Sequence, residues 1–138
     1  MASTCVKRVI DWRPLSLSSK TGAAASVYSW IRSRKIWRWR QIGADRVELY
    51  TESYAVAFAA GDYAQVLDRF SQSATAAHTA GLGVNAGHDL NLVNLPEFAI
   101  PHLLEVSIGH ALTVDALRFG FAESVKRYIE ALASRVSE

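Results

Sequence analysis

The sequence predicts an α/β fold assembled from the βα units of a parallel barrel, and three observations carry that prediction. Arg46 to Thr51 alternates apolar and polar residues, as a half-buried strand does. Leu82, Gly83 and Val84 form a short buried-strand pattern that meets a polar cluster at once: Asn85, Gly87, His88, Asp89, Asn91 and Asn94. A strand that stops at a His flanked by a small Gly and a carboxylate fits a site at a strand's carboxyl end, where ligands bind in parallel α/β folds. The same design returns about twenty residues later in Leu104 to Leu112, where a strand-like run ends in Gly109-His110 and leads into helical spacing.

Taken in order, Gly43-Ala44-Asp45 is a turn, and the strand after it places Val47 and Leu49 on one side, Glu48 and Tyr50 on the other. Tyr54 to Gly61 is small and apolar and ends in a Gly-Asp breaker. From Asp62, the apolar residues Val66, Leu67, Phe70, Ala74 and Ala77 recur at helical spacing, with Asp62 the expected N-cap and Gly81 the C′ stop. A central strand spans Leu82 to Asn85. After the polar loop, Asn94 and Pro96 are expected to open a short helix, with Pro near the first turn, and Pro101 to close it. Leu104 to Ile108 is the last strand, followed by a helix over Ala111 to Phe119 that breaks at Gly120. Phe121, Val125, Ile129 and Leu132 mark a final amphipathic helix reaching about Arg135.

With 138 residues, half of them apolar and a fifth charged, the chain reads as one soluble globular domain. Its lone Cys5 allows no internal disulfide. No apolar run approaches the ~18–20 residues of a membrane span, and no secretory h-region opens the chain, so a cytoplasmic protein without membrane contact is expected. There is no H-x-x-x-H, no Cys pair and no carboxylate cluster at ligand spacing, so no metal centre is expected. A G-x-G-x-x-G and a Walker loop are also missing, and Gly81-Leu82-Gly83 is a helix stop.

Residues 1–40 differ from the rest. They hold all four Trp (Trp12, Trp30, Trp37 and Trp39) and nine of the fifteen Lys and Arg, against the single acid Asp11. The net +2 is therefore the sum of a basic segment and an acidic remainder. Ile31 to Arg40, IRSRKIWRWR, has the Arg, Lys and Trp of an arm that binds nucleic acid or a partner chain, which would make the protein a non-catalytic interaction module; the same residues fit a solvated charge run or a helix with Ile31 and Trp37 packed.

Ala44 to Ala55 (ADRVELYTESYA), Gly81 to Asn91 (GLGVNAGHDLN) and Glu105 to Leu112 (EVSIGHAL) resemble the pyridoxine 5'-phosphate synthase family of vitamin B6 biosynthesis. The resemblance runs from about Gln41 to Ser137. It implies a TIM (β/α)8 barrel, of which this chain supplies about three βα units from the C-terminal part. A whole barrel needs roughly 200–250 residues, so the expected fold is an incomplete barrel with unpaired parallel edges and one apolar sheet face uncovered. For residues 1–40 the resemblance adds a further reading, a synthase gene translated out of frame. Joining the last base of each codon to the first two of the next, Trp30-Ile31 forces an Asp and Met1-Ala2 forces a Gly. The neighbouring steps permit a string like the family's preceding barrel strand. Under that reading the segment need not fold.

The resemblance also implies a transferase-type condensation of 1-deoxyxylulose 5-phosphate with 3-amino-2-oxopropyl phosphate. It implies small phosphorylated substrates, no cofactor, and a homo-oligomer in the intact family, with nucleic acid a poor fit. His88 is the first candidate residue, because imidazole titrates near neutrality and can deliver a proton at working pH. A His after a strand is also commonly structural; the resemblance makes His88 the proton donor. Glu48 reads either as a solvated strand residue paired with Arg46 or, by resemblance, as the stabiliser of charge during ring closure. Gly109 and His110 stand where a strand enters a helix, a natural phosphate cradle, and the resemblance makes them a phosphate clamp. Asp89 occupies a position where many family members carry Gly, so a substrate contact there would run through its backbone. His78 and His102 match nothing catalytic and read as an exposed helix residue and a loop residue.

Overall fold

A computed structural model of the chain describes residues 43–134. The Trp-rich segment before Gln41, with its arm and out-of-frame readings, lies outside the described residues. Three parallel strands form one sheet in the order β1 (Arg46–Tyr50), β2 (Gly83–Gly87), β3 (Leu103–Ser107). Helices α1 (Glu52–Ala59) and α2 (Ala64–Thr79) carry the chain from β1 to β2, and α3 (His110–Phe119) and α4 (Phe121–Ser134) follow β3. Tyr50 pairs with Gly87, and Gly87 with Ser107, so the carboxyl ends of the three strands lie level. The expected α/β class is what is found.

Helices cover one face of the sheet. Leu49, Val84 and Ala86 point into that layer and meet Phe70, Ala74 and Ala77 of α2, all of them buried. Tyr54 is the largest fully buried side chain and lies among the rings of Phe58, Tyr63, Phe70 and Phe98. Gly81 ends α2 as expected. At φ 76 its N–H donates to the His78 carbonyl at 2.9 Å, while the Leu82 N–H reaches Ala77 at 3.0 Å, the paired bonds of a left-handed helix stop.

The other face differs from expectation. It carries Arg46, Glu48, Asn85 and Glu105 rather than an apolar layer, and Arg46 donates to both Asn85 (3.3 Å) and Glu105 (3.1 Å). Alternation along β1 and β2 puts polar residues here because the opposite face takes the helices. A register shift between Val84 and Asn85 pairs Leu103 with Val84 and Glu105 with Asn85, leaving Leu104 as the extra residue of a bulge.

Other elements also depart from expectation. The first strand stops at Tyr50, and Thr51 opens α1, a helix in the run that the sequence marked only as small and apolar. Tyr63, not Asp62, precedes α2, and no side chain caps it. The short helix expected at Asn94 and Pro96 is a set of turns over residues 92–97. Asn91 and Asn94 bond the loop's own backbone there, which competes with helix formation, and Pro101 leaves little length. In α4 the buried residues are Ser124 and Tyr128, whereas Phe121 and Ile129 of the expected stripe are exposed. The packed face is rotated because Tyr128 gains both burial and a 2.8 Å bond to Asp115 of α3.

Candidate active site at the carboxyl ends of the strands

Glu48 projects from β1 on the polar face, and His88 follows β2 directly. The His88 Nε2 lies 3.7 Å from the Glu48 Oε1, with both side chains about half exposed. Gly87 makes this approach possible: a Cβ there would sit 2.7 Å from the Glu48 Oε1 and 3.1 Å from the Ser107 Cβ. Tyr50, on the same strand face as Glu48, packs its ring on the imidazole with centroids 4.2 Å apart. Partial burial, then the hydrogen bond and charge of Glu52 and the charge of Asp89, push the Tyr50 phenol above its usual range. It stays protonated at neutral pH as an aromatic wall with one polar tip.

His88 and Asp89 both have left-handed backbones, φ 81 and 58. Thr51, fully buried, reaches across from β1: its N–H donates to the Gly87 carbonyl at 2.8 Å, and its Oγ1 contacts the Gly87 carbonyl at 2.6 Å and the His88 carbonyl as well. Beyond His88, Asn94 closes the loop by donating to the Asp89 carbonyl at 3.0 Å and accepting from the Asn91 N–H at 2.8 Å. The Asp89 carbonyl is thus occupied and its side chain exposed.

Gly109 and His110 stand two and three residues past the end of β3, at the start of α3. Thr113 folds back on them, its N–H and Oγ1 both donating to the Gly109 carbonyl at 3.2 Å. A Cβ on Gly109 would meet nothing within 4 Å, so space does not demand glycine there. The structure brings Glu48 and His88 into one constellation. Gly109 and His110 share the same sheet end without a direct contact to that pair.

Tyr50 and Thr51 escaped the sequence reading as site residues. Placement of Tyr50 on the Glu48 face was legible. That both residues meet His88 depends on the pairing of β1 with β2, which no local pattern encodes. His78 and His102 sit on a helix and a loop, as read, but their rings stack at 3.8 Å and 3°. They line a ≈ 360 Å³ cleft with Gly81, Leu82, Gly83 and Leu104 at the opposite end of the strands, away from His88.

Comparison with known proteins identifies relatives of the chain. The family model described as pyridoxal phosphate biosynthesis protein PdxJ matches residues 15–134, beginning upstream of Gln41 where the resemblance in the sequence starts. The pyridoxine 5'-phosphate synthase of Albidiferax ferrireducens is 53% identical over 94 residues, covering 67% of this chain and 37% of the relative. That of Xanthomonas axonopodis pv. citri is 45% identical over 117 residues, covering 83% and 46%. That of Brucella abortus is 54% identical over 101 residues, covering 70% and 40%. The chain therefore spans less than half the length of these relatives. Matched by the family model over most of its length, the chain belongs to the pyridoxal phosphate biosynthesis protein PdxJ family.

Proposed function

We propose that residues 41–138 supply the C-terminal βα units of a pyridoxine 5'-phosphate synthase barrel. The reaction is the condensation of 1-deoxyxylulose 5-phosphate with 3-amino-2-oxopropyl phosphate to pyridoxine 5'-phosphate, inorganic phosphate and water. His88 is the proton donor to the departing group, and Glu48 stabilises the charge that develops at ring closure. Gly109 and His110, at the start of α3, hold a substrate phosphate, and the Asp89 backbone contributes beside His88. The observation that carries this reading is the 3.7 Å approach of His88 to Glu48 at the carboxyl end of a parallel sheet.

Alone, the 138-residue chain is inactive in this proposal. The resemblance places a further acid–base His and Glu on earlier strands, and the half-exposed Glu48 and His88 act in water, where charge interactions are weak. Purified chain given both substrates should form no pyridoxine 5'-phosphate; turnover would overturn the inactive clause. Co-expression with the N-terminal part of the Xanthomonas relative should support growth of a pyridoxine auxotroph, and His88→Asn should abolish it. Growth undiminished by His88→Asn would overturn the role of His88.

A further inference from the structure

His88 is held in a backbone conformation that L residues seldom adopt, φ 81, and something must select it. The two carbonyls that flank His88, those of Gly87 and of His88 itself, belong to the two peptide planes whose mutual rotation is set by His88 φ and ψ. Both turn toward one atom, the Thr51 Oγ1. Thr51 is fully buried, and its own N–H donates to the Gly87 carbonyl at 2.8 Å, so the hydroxyl is anchored to the sheet while it faces both planes. The single O–H proton can be shared between the two carbonyls only while both face it; an extended His88 would swing them apart and end that sharing, leaving the Gly87 carbonyl to the Thr51 N–H.

We propose that Thr51 is a positioning residue: its hydroxyl locks the left-handed backbone of His88 and so keeps the imidazole against the Tyr50 ring and within reach of Glu48. The functional meaning rests on His88 being the proton donor; the positioning itself does not. The side-chain methyl is incidental, so serine substitutes and valine does not.

The test is NMR on the full 138-residue chain with labelled histidine. Packed on Tyr50 at 4.2 Å between centroids, the His88 ring protons carry a ring-current shift, and Tyr50→Leu defines their position without it. Thr51→Val should move them to the Tyr50→Leu position, while Thr51→Ser keeps them near the unsubstituted one. Leu49 and Val84 methyl resonances report that the sheet is intact. Full retention of the shift in a folded Thr51→Val, or its loss in Thr51→Ser, would overturn the proposal. If Thr51→Val does not fold, the unsubstituted chain decides. The Thr51 hydroxyl proton should exchange slowly and show cross-relaxation to the His88 Hα; a hydroxyl in fast exchange with water would overturn it. Failure of the synthase reading would instead appear as auxotroph growth unaffected by His88→Asn, with these shifts unchanged.

Discussion

Tyr54→Phe tests how the core holds the loop that carries His88. The Tyr54 ring is fully buried, 4.8 Å from Phe98 and 5.8 Å from Tyr63 between centroids, and its hydroxyl donates to the Asn94 carbonyl at 2.8 Å. Asn94 is itself buried and holds the Asp89 carbonyl. Removing only the hydroxyl keeps the ring packing and strips a buried acceptor of this donor, a cost of about 1–2 kcal/mol. With a urea m-value of roughly 1–3 kcal/mol/M for a small protein, the midpoint should fall by about 0.3–2 M at unchanged m. Tyr54→Ala also removes the ring and should cost about 3–5 kcal/mol. Urea unfolding followed by circular dichroism measures both. An unchanged midpoint for Tyr54→Phe would refute the anchoring role of the hydroxyl. Equal losses in the two variants would refute the view that ring packing is the larger part.

Gly87→Ala should destabilise by about 1–3 kcal/mol, since both the Glu48 carboxylate and the Ser107 Cβ must give way. In a Glu48→Ala background the same change should cost less, a coupling that a double-mutant cycle in urea reads directly. Tyr128→Phe removes the 2.8 Å bond to Asp115 and should loosen α4 from α3, lowering the thermal midpoint with little change in sheet signals. Leu117→Lys, at a side chain 85% exposed, should leave stability within about 0.5 kcal/mol. Burial, then the Tyr63 and Glu97 charges, push the Tyr54 phenol above its ordinary value of 10.0, and burial with the Asp115 bond does the same for Tyr128. The unfolded phenols lose their protons first, so these tyrosines contribute stability that is full below pH 10 and falls as pH climbs above it. Alkaline unfolding should begin there and start later, relative to neutral stability, in Tyr54→Phe; onset several units lower would refute the assignment.

Local pattern alone determined much of this protein. Alternation in Arg46 to Tyr50 marked β1 and the side on which Glu48 lies. The spacing of Phe70, Ala74 and Ala77 marked the buried face of α2, and Gly81 its end. Each is a short-range effect: side-chain direction repeats every two residues in a strand and every 3.6 in a helix, and a left-handed stop needs glycine. The strand-end motif around His88 and the family were legible for the same reason, since their residues are contiguous.

Tertiary structure decided the rest. The sequence could not say that Thr51 ends one element and reaches under His88, because 37 positions separate them and only the β1–β2 register joins them. Helix α4 illustrates the same limit. Its apolar spacing favoured Phe121 and Ile129, but the bond from Tyr128 to Asp115 turned another face inward. Between Asn91 and Pro101, side-chain bonds to the loop's own backbone overrode a helix start that Asn94 and Pro96 invited. Periodicity states which residues prefer burial. Which of them are buried, and which polar groups meet, follows from long-range partners that must satisfy every buried donor and acceptor at once.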